Sequence, residues 1–222
     1  MSLYTLPKTK ISTETPNTEH LTFRECEDLE LLSRLGEISE EEARRRLAND
    51  NLAFVAYWKH EPAAFGWMAR GKAKIGELNH EFILPESHRY LWNFRTLMAY
   101  RGLGIYPRLL QYIICRESSK AERFWIIHAP ENSSSLRGIL KAGFTYVGEL
   151  FVNDDAQLAI KVKDYLDVDS YLDYMGFKRT SDVAASCWNC SSPFLKKRKP
   201  VCCCGEVQKV CTKNNLSAFA AV

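Results

Sequence analysis

The glycine-rich segment at residues 100–106, which reads Tyr-Arg-Gly-Leu-Gly-Ile-Tyr, constrains the fold of this chain more than any other stretch. It lies between a strand predicted at Tyr90–Met98 and an amphipathic helix predicted at Ile105–Cys115. The first backbone N–H groups of a helix lack partners and carry about half a positive charge, so they are ready to bind an anion. Gly102 and Gly104 have no side chains that would keep a phosphate away from these donors. A tight turn without a ligand explains the glycines alone equally well.

The other periodic segments predict an α/β chain of the mixed α+β kind, with one mixed sheet and helices on both of its faces. Short apolar runs predict the further strands Leu21–Phe23, Asn51–Tyr57, Ala63–Arg70, Phe124–Ala129, Thr145–Val152 and Gln157–Val162. Three further helices are predicted from helical spacing and end signals. The first begins at the capping box of Ser39 and Glu42 and runs to Leu47. The second has Leu136, Ile139 and Leu140 on its inner face and ends at Gly143, and the third spans Tyr165–Met175 and ends at Gly176.

The length and composition fit one ordinary domain with an added segment. The chain has 222 residues, of which 46% are apolar and 26% charged, enough to bury a core. Residues 1–20 are polar without apolar periodicity, so we expect a flexible arm there, a domain at 21–162 and an appendage at 163–222. The net charge of +3 does not indicate nucleic acid as the main partner. No apolar run reaches the about 18 residues of a membrane helix, and no signal peptide is recognised, so we expect a cytoplasmic protein.

Six of the eight cysteines lie between residues 187 and 211, which is unlike the even spread of a secreted disulfide scaffold. Four thiolates that bind one zinc ion would let so short a segment fold. The predicted ligands are Cys187, Cys190, Cys202 and Cys204, with Cys203 as an alternative to the last. The basic run Lys196–Lys199 between the two pairs would suit nucleic acid or an acidic protein surface, or it is a solvated tip. A tail with incidental thiols explains the same cysteines equally well.

Two sets of residues resemble the GNAT family of N-acetyltransferases. Arg101 and Gly104 occupy the first two fixed places of its acyl-CoA signature, Gln/Arg-x-x-Gly-x-Gly/Ala, while Tyr106 stands where Gly or Ala is usual. The second set follows the family's spacing of Asn, a small residue and Gly-Phe, and comprises Asn132, Ser135, Gly143 and Phe144. The resemblance covers about residues 21–162.

The resemblance implies a GNAT fold, whose central, mostly antiparallel sheet contains two parallel strands that splay apart, here those ending at Met98 and Ala129. It implies that acetyl-CoA binds there as cosubstrate, with its pantetheine arm along exposed strand backbone and its diphosphate on the glycine-rich loop. Asn132 would hydrogen-bond the arm, although a helix cap explains Asn132 equally well. The implied cofactor-binding residues are Thr96, Leu97, Met98, Arg101, Gly102, Leu103, Gly104, Ile105, Tyr106, Asn132 and Ser135.

Acylation of an amine needs a base for the ammonium and a proton for the departing thiolate. Many GNAT enzymes carry a Tyr for the second task at the place where this chain has Ile139. The candidate catalytic residues are His128, at the mouth of the splayed strands, and Tyr90 and His88, at the start of the strand before the cofactor. Tyr106 in the loop and Glu86 before the strand are further candidates, and a packed core imidazole explains His128 as well.

We therefore predict an enzyme, an acyl-CoA-dependent N-acetyltransferase that transfers the acetyl group of acetyl-CoA to a primary amine by direct attack in a ternary complex. A catalytically silent acyl-CoA-binding sensor of the same fold is one alternative, and Ile139 favours it. A zinc-ribbon module that binds a protein or nucleic acid is the other. We expect a monomer or a homodimer that does not enter a membrane.

Overall fold

The computed structural model describes residues 1–11, 19–153, 155, 157–163 and 167–184. Its strands are β1 (Ser2–Pro7), β2 (Leu21–Cys26), β3 (Asn51–Trp58), β4 (Glu61–Ala69), β5 (Lys72–Ile75), β6 (His80–Ile83), β7 (His88–Thr96), β8 (Arg123–His128), β9 (Thr145–Val152), β10 (Leu158–Val162) and β11 (Lys178–Arg179). Its helices are α1 (Leu29–Gly36), α2 (Glu40–Ala48), α3 (Ile105–Glu117), α4 (Ser133–Lys141) and α5 (Asp169–Tyr174). The strands predicted from the sequence correspond to β2, β3, β4, β7, β8, β9 and β10.

One sheet of nine strands dominates the described part of the chain, in the order β11-β10-β9-β1-β8-β7-β4-β3-β2. Neighbouring strands run antiparallel except in the pairs β7–β8 and β10–β11. The pairing of β7 with β8 ends at Leu91 and Ile126. Beyond that point β7 stays with β4 as far as Thr96, and β8 stays with β1 as far as His128. The sheet therefore divides between β7 and β8, which confirms the predicted splayed pair in a mixed, mostly antiparallel sheet.

Helices cover both faces of this sheet, as predicted, because successive strand residues point to opposite sides. On β3, Phe54 and Ala56 belong to the core that packs with α3 and α4. Their neighbours Ala53 and Val55 belong to the cluster that includes α1 and α2. A third cluster joins β8, β9 and β10 to the hairpin β5–β6 and to α5.

The prediction of a flexible arm is wrong for the first seven residues, and residues 12–18 of that arm lie outside the described residues. Ser2–Pro7 form β1, which is antiparallel to both β8 and β9 and lies between them. Its four central residues are all buried: Leu3, Tyr4, Thr5 and Leu6. A short strand that is buried on both faces shows no alternation of polar and apolar residues. Because the residues that follow β1 are polar, the whole segment resembles a flexible arm in the sequence.

The start of the predicted appendage packs on the main sheet. Leu172 of α5 and Phe177 share a buried cluster with Leu150 and Ile160 of the neighbouring strands. Strand β11 extends the sheet by pairing with β10. The boundary at residue 163 stays a prediction, since residues 185–222 lie outside the described residues.

Local details differ from the sequence-based predictions in several places. The hairpin β5–β6 and helix α1 have no counterpart among the predicted elements. Leu140, predicted on the inner face of α4, is 52% exposed. The capping box of α2 is half formed: Ser39 Oγ accepts from the N–H of Glu42 at 3.1 Å, whereas the Glu42 carboxylate accepts from Arg46 Nε at 2.8 Å.

Candidate functional site

A cavity of about 500 Å³ lies beside the end of β7, beyond the point where this strand separates from β8. We call residues 88–91 and 123–126, which pair with each other, the closed end of the two strands, and residues 92–96 and 127–128 the open end. The described residues that line the cavity are Phe94, Arg95, Thr96, Tyr100, Arg101, Gly102, Gly104, Ile105, Tyr106, Pro107, Asn132, Ser134, Ser135, Arg137, Gly138 and Lys141. Four of these lining residues are cationic, and none is acidic or a histidine. The cavity therefore suits an anionic ligand.

A bulge in β7 shapes one wall of the cavity. Asn93, with a positive φ of 52°, and Phe94 together lie opposite the single residue Gly66 of β4. The ring of Phe94 covers Gly66, where an added Cβ would come within 2.1 Å of the ring. Phe94 also contacts the ring of Tyr106, with 5.5 Å between centroids. The missing side chain at Gly66 thus gives Phe94 the room to reach the first turn of α3.

The N-terminus of α3 differs from the N-termini of the other described helices of eight residues or more. In α1, α2 and α4 a side chain accepts one of the first backbone N–H groups, and these caps are Asp28, Ser39 and Asn132. α3 follows Gly104, whose φ is 69°, and it has neither a side-chain cap nor an acidic residue in its first turn. Its first N–H groups, those of Ile105 and Tyr106, therefore remain without a capping side chain at the cavity wall.

Arg101 ties the loop to the end of β7, because its Nε donates to the backbone oxygen of Thr96 at 3.2 Å. The N–H of Leu97 donates to the oxygen of Ala63 on the β4 side, at 2.9 Å. Neighbouring residues of a strand point their N–H groups to opposite edges, so the N–H of Thr96 points to the gap that β8 has left. Leu97 and Met98, predicted with Thr96 as a continuous binding edge, lie beyond the strand, and Met98 begins a 3-10 turn.

Tyr106 fills the space between α3 and α4. Its ring packs on Gly138, where an added Cβ would lie 2.3 Å from Tyr106 Cδ1. Its hydroxyl lies 3.4 Å from Ser135 Oγ, and burial raises the pKa of Tyr106 to about 12. The phenol therefore keeps its proton at neutral pH. The large residue that departs from the GNAT signature is accommodated by a glycine on the facing helix.

Asn132 caps α4, which confirms the helix cap as one of the two roles predicted for this residue. Its Oδ1 accepts from the N–H of Ser135 at 3.1 Å and from Ser134 Oγ at 2.9 Å. These bonds use the amide oxygen alone, so the Nδ2 group stays a donor at the cavity wall. The cap and the predicted ligand contact are therefore compatible.

His128 ends β8 and holds the loop that leads to α4. Its Nε2 donates to the backbone oxygen of Asn132 at 2.8 Å, and its ring contacts Tyr4 edge-on. Nδ1 is buried and has no hydrogen-bond partner in the part of the chain that the structure describes. Burial lowers the pKa of His128, so the imidazole is neutral at neutral pH with a bare lone pair on Nδ1. His128 does not line the cavity itself but bonds to a residue that does.

The structure does not bring His88 or Tyr90 to the cavity, because both lie at the closed end. Tyr90 is six residues from Thr96, about 20 Å along a strand. Its ring packs on Phe82 in the third cluster, and burial raises its pKa. His88 Nδ1 accepts from Trp125 Nε1 at 3.1 Å inside the protein. The sequence placed both residues on the strand before the glycine-rich loop but could not show which end of that strand lies at the cavity.

The predicted cofactor-binding residues are largely brought together. Eight of the eleven line the cavity: Thr96, Arg101, Gly102, Gly104, Ile105, Tyr106, Asn132 and Ser135. Leu97, Met98 and Leu103 do not line it. The lining residues that were not predicted to bind the cofactor are Phe94, Arg95, Tyr100, Pro107, Ser134, Arg137, Gly138 and Lys141. Arg137 and Lys141 could have been recognised from the sequence, because they lie four residues apart on a predicted helix and therefore on one face of it.

The predicted zinc ligands Cys187, Cys190, Cys202 and Cys204 lie outside the described residues, so that site stays a prediction. Within the described ranges, no group of three or more His, Cys, Asp or Glu residues is placed to hold a metal ion. None of the described helices has the length and apolar character required to span a bilayer.

Several solved structures share part of this fold. A protein from Novosphingobium aromaticivorans assigned to the GNAT acetyltransferases is 14% identical, with a TM-score of 0.47 over 65% of this chain and 59% of its own. An acetyltransferase from Salmonella typhimurium that modifies the N-terminal serine of ribosomal protein L7/L12 is 15% identical, with a TM-score of 0.44 over 63% and 88%. RimL in complex with coenzyme A is 15% identical, with a TM-score of 0.46 over 63% and 88%.

These structural neighbours are GNAT acetyltransferases. The chain spans less than two thirds of the length of the Novosphingobium protein. No protein-family model matches the chain, and no curated protein matches it. All three identities lie below 25% and all three TM-scores below 0.5, and the fold class follows from the sheet topology described above.

Proposed function

We propose that this chain is an acyl-CoA-dependent N-acetyltransferase, which transfers the acetyl group of acetyl-CoA to a primary amine by direct attack in a ternary complex. One observation carries the proposal: the uncapped N-terminus of α3 lies at the wall of a cavity whose described lining has four cations and no acid. Unpaired N–H groups and cations together favour a ligand with several negative charges, such as a diphosphate. This is the place that the resemblance gives to acyl-CoA.

The loop and the start of α3 would hold the diphosphate. Gly102 and Gly104 have positive φ values, 82° and 69°, which a residue with a side chain adopts only with strain. They also leave the approach to the N–H groups of Ile105 and Tyr106 free of side chains. Arg101, fixed by the oxygen of Thr96, would add a charge-assisted hydrogen bond.

The open end of β7 would receive the thioester. The N–H of Thr96, directed at the gap, is the candidate donor for the carbonyl oxygen as it gains negative charge during attack. One such donor contributes about 3 to 4 kcal/mol to stabilising the transition state. Asn132 Nδ2 and Ser135 would bond the pantetheine arm from the opposite wall.

The reaction breaks the C–S bond and forms a C–N bond, so the amine must lose a proton and the thiolate must gain one. The candidate base for the first task is His128, whose Nδ1 is unprotonated at neutral pH. Because Nδ1 is buried and His128 does not line the cavity, the proton would reach it through an intervening water molecule. The conjugate thiol has a pKa of about 8.5, so the thiolate leaves without strong help, and water or the protonated Tyr106 suffices for the second task. His88 and Tyr90 are left out, since they lie at the closed end.

A silent acyl-CoA sensor remains the second candidate, because two observations favour it. Ile139, at the place of the usual catalytic Tyr, is 0% exposed in the core. No histidine or carboxylate is among the described residues that line the cavity. Such a site would bind the cofactor without supplying a conventional acid or base.

Incubation of the purified chain with acetyl-CoA and a panel of alkyl amines, amino sugars and peptides with free N-termini tests the proposal. We expect amine-dependent release of the coenzyme thiol, with the acetylated product seen by mass spectrometry. His128→Gln should lower kcat about 100-fold and leave the KM for acetyl-CoA within about twofold, because Gln keeps the donor to Asn132 and lacks the base. Activity should fall as the pH drops below 6.5, since the pKa of His128 lies below that value. Tight acetyl-CoA binding without thiol release from any amine would favour the sensor.

A further inference from the structure

Arg95 lies at the open end of β7, where the two faces of the sheet meet the cavity. It lines the cavity, yet its side chain points away from α3. The reason is that the neighbouring Phe94 reaches Tyr106 of α3, and successive strand residues point to opposite faces. Arg95 lies opposite Phe65 of β4, which belongs to the buried cluster of α1 and α2. Arg95 therefore occupies the rim of the cavity on the side of α1 and α2.

The turn between α1 and α2 places a carboxylate against Arg95. Glu37 Oε1 accepts from Arg95 Nη2 at 2.7 Å, and this hydrogen bond lowers the pKa of Glu37. The turn is held in place, because Ser33 Oγ donates to the backbone oxygen of Ile38 at 2.6 Å. An added Cβ at Gly36 would lie only 3.3 Å from Ile38, so the missing side chain lets the turn close. The position of the Glu37 carboxylate at the cavity rim is thus built into the fold.

Stability of the chain does not explain why a glutamate holds this position. Glu37 has a positive φ of 52°, a left-handed conformation in which glycine is the usual residue after a helix. Its carboxylate lies at the C-terminal end of α1, where the helix dipole disfavours negative charge. The side chain of Glu37 is 71% exposed and that of Arg95 39%, and ion pairs so exposed contribute little to folding. A strained residue at a cavity rim points to ligand binding instead.

In the proposed function, the acceptor amine passes Arg95 on its way to the thioester. The loop, α3 and α4 would hold acyl-CoA on one face of the sheet, which leaves the face of α1 and α2 for the acceptor. Arg95 is also next to Thr96, whose N–H is the candidate donor to the thioester carbonyl. A guanidinium beside this path repels an ammonium group unless the acceptor brings a negative charge of its own. The contact with Glu37 shows that a carboxylate fits against this guanidinium.

We infer that the acceptor is an amino acid, whose carboxylate binds Arg95 in place of Glu37 while its amine attacks the thioester. This inference rests on the proposed function, because it takes the thioester carbonyl to lie at the N–H of Thr96. In an α-amino acid a single carbon atom separates the amine from the carboxylate, so the two groups can reach adjacent residues of one strand. Arginine binds a carboxylate through parallel hydrogen bonds, which also orients the amine. Glu37 keeps the charge of Arg95 neutralised until the acceptor carboxylate replaces it.

Steady-state kinetics with amino acids, their amides and their decarboxylated amines at saturating acetyl-CoA tests the inference. The quantity to compare is the ratio of kcat/KM for each amino acid to kcat/KM for its amide or amine. Arg95→Gln should lower this ratio about 10- to 100-fold, because charge-assisted hydrogen bonds to the carboxylate are lost. The KM for acetyl-CoA should stay within about twofold. Since each ratio is compared between wild type and variant, the different intrinsic reactivities of the amines cancel.

Two further variants separate binding of the carboxylate from a structural role. Glu37→Gln removes the competing carboxylate, so it should lower the KM for amino acids several-fold and leave the KM for the amides unchanged. The matched control is Lys72→Gln, which breaks an exposed ion pair of 2.8 Å with Glu81 in the hairpin β5–β6. This control should keep the wild-type ratio.

The outcomes separate this inference from the function on which it rests. An unchanged ratio in Arg95→Gln, in a chain that acetylates amines, would overturn the inference while the proposed function stands. An equal loss of activity on amino acids and amides would also overturn it, because Arg95 would then act on the fold or on acyl-CoA. A raised KM for amino acids in Glu37→Gln would exclude the exchange of carboxylates. Absence of thiol release with every acceptor would overturn the proposed function and the inference with it.

Discussion

The closed and open ends of β7 and β8 are built from the same two strands but treat their polar groups in opposite ways. At the closed end the buried His88 accepts a hydrogen bond from Trp125 Nε1, and its ring lies 4.5 Å from that of Tyr171. At the open end the strands part, and the N–H of Thr96 faces a cavity. The first N–H groups of α3 lack a capping side chain there as well.

The different hydrogen bonding of the two ends affects the stability of the folded chain. Buried polar groups are normally hydrogen-bonded, and a donor left without a partner costs about 1 to 3 kcal/mol when it is shielded from water. The closed end satisfies its polar groups within the chain and so contributes to folding. The open end leaves its donors without a partner of this kind, so we expect acyl-CoA, if it binds there as proposed, to stabilise the protein through that end.

The largest expected effect concerns His88 at the closed end. Burial, with added repulsion from Arg123 and Arg89, lowers the pKa of His88 to about 4 from its usual 6.5. The unfolded chain therefore takes up this proton first as the pH falls. The stability linked to His88 is complete above pH 6.5 and is lost as the pH drops toward 4, by up to about 3 kcal/mol.

Urea unfolding of the wild type and of His88→Asn across this pH range measures the effect. Asn keeps an acceptor for Trp125 and does not titrate, so the stability difference between the two proteins should change steadily between pH 6.5 and 4.5. Coenzyme A affinity at pH 7.5 should be the same for both proteins. A stability difference that does not depend on pH would show that His88 is not held neutral at the closed end.

The next effect tests the packing between Tyr106 and Gly138 at the open end. An alanine Cβ at 138 would overlap the tyrosine ring, and overpacking costs about 1 to 3 kcal/mol, partly offset by a gain of about 1 kcal/mol in helix propensity. We expect Gly138→Ala to lower the free energy of unfolding by about 1 to 2 kcal/mol. In a protein that already carries Tyr106→Ala, Gly138→Ala should no longer lower the free energy of unfolding. The double-mutant cycle should therefore give a coupling energy of at least about 1 kcal/mol.

Gly76→Ala is the matched control, because an added Cβ at Gly76 would meet no atom within 4 Å. Its effect on the free energy of unfolding should stay within about 0.5 kcal/mol. Strictly additive effects of Gly138→Ala and Tyr106→Ala would contradict the close contact of α3 with α4.

The smallest effect separates the two tasks of Asn132. Asn132→Ala should lower the free energy of unfolding by about 1 kcal/mol, because the cap of α4 is lost. Asn132→Ser keeps a capping oxygen and should unfold like the wild type, yet both variants should bind coenzyme A several-fold more weakly because they lack Nδ2. Wild-type affinity in Asn132→Ser would limit Asn132 to capping.

The same contrast between the two ends explains what the sequence could predict. The loop at Arg101–Gly104 was recognisable because its chemistry is local: glycines, a cation and a helix start within a few residues. The cap at Asn132 and the left-handed Gly143 were recognisable for the same reason. The splayed strands followed from the resemblance and are confirmed by the end of pairing at Leu91.

The features that could not be predicted from the sequence depend on contacts between distant segments. Strand β1 becomes a strand by pairing with β8 and β9, more than a hundred residues away, and its own residues carry no alternation. The position of Arg137 at the cavity wall depends on the contact of the neighbouring Gly138 with Tyr106. His88 and Tyr90 were misplaced because position along a strand does not show which end opens.

Calorimetric titration of the chain with coenzyme A tests the central claim most directly. We predict one site per chain, with affinity lowered about tenfold by Arg101→Ala and by 100-fold or more by Gly104→Val, whose branched side chain would crowd the approach to the α3 amides in a strained backbone. Absence of coenzyme A uptake by the wild type, or unchanged affinity in both variants, would contradict a diphosphate site at the start of α3.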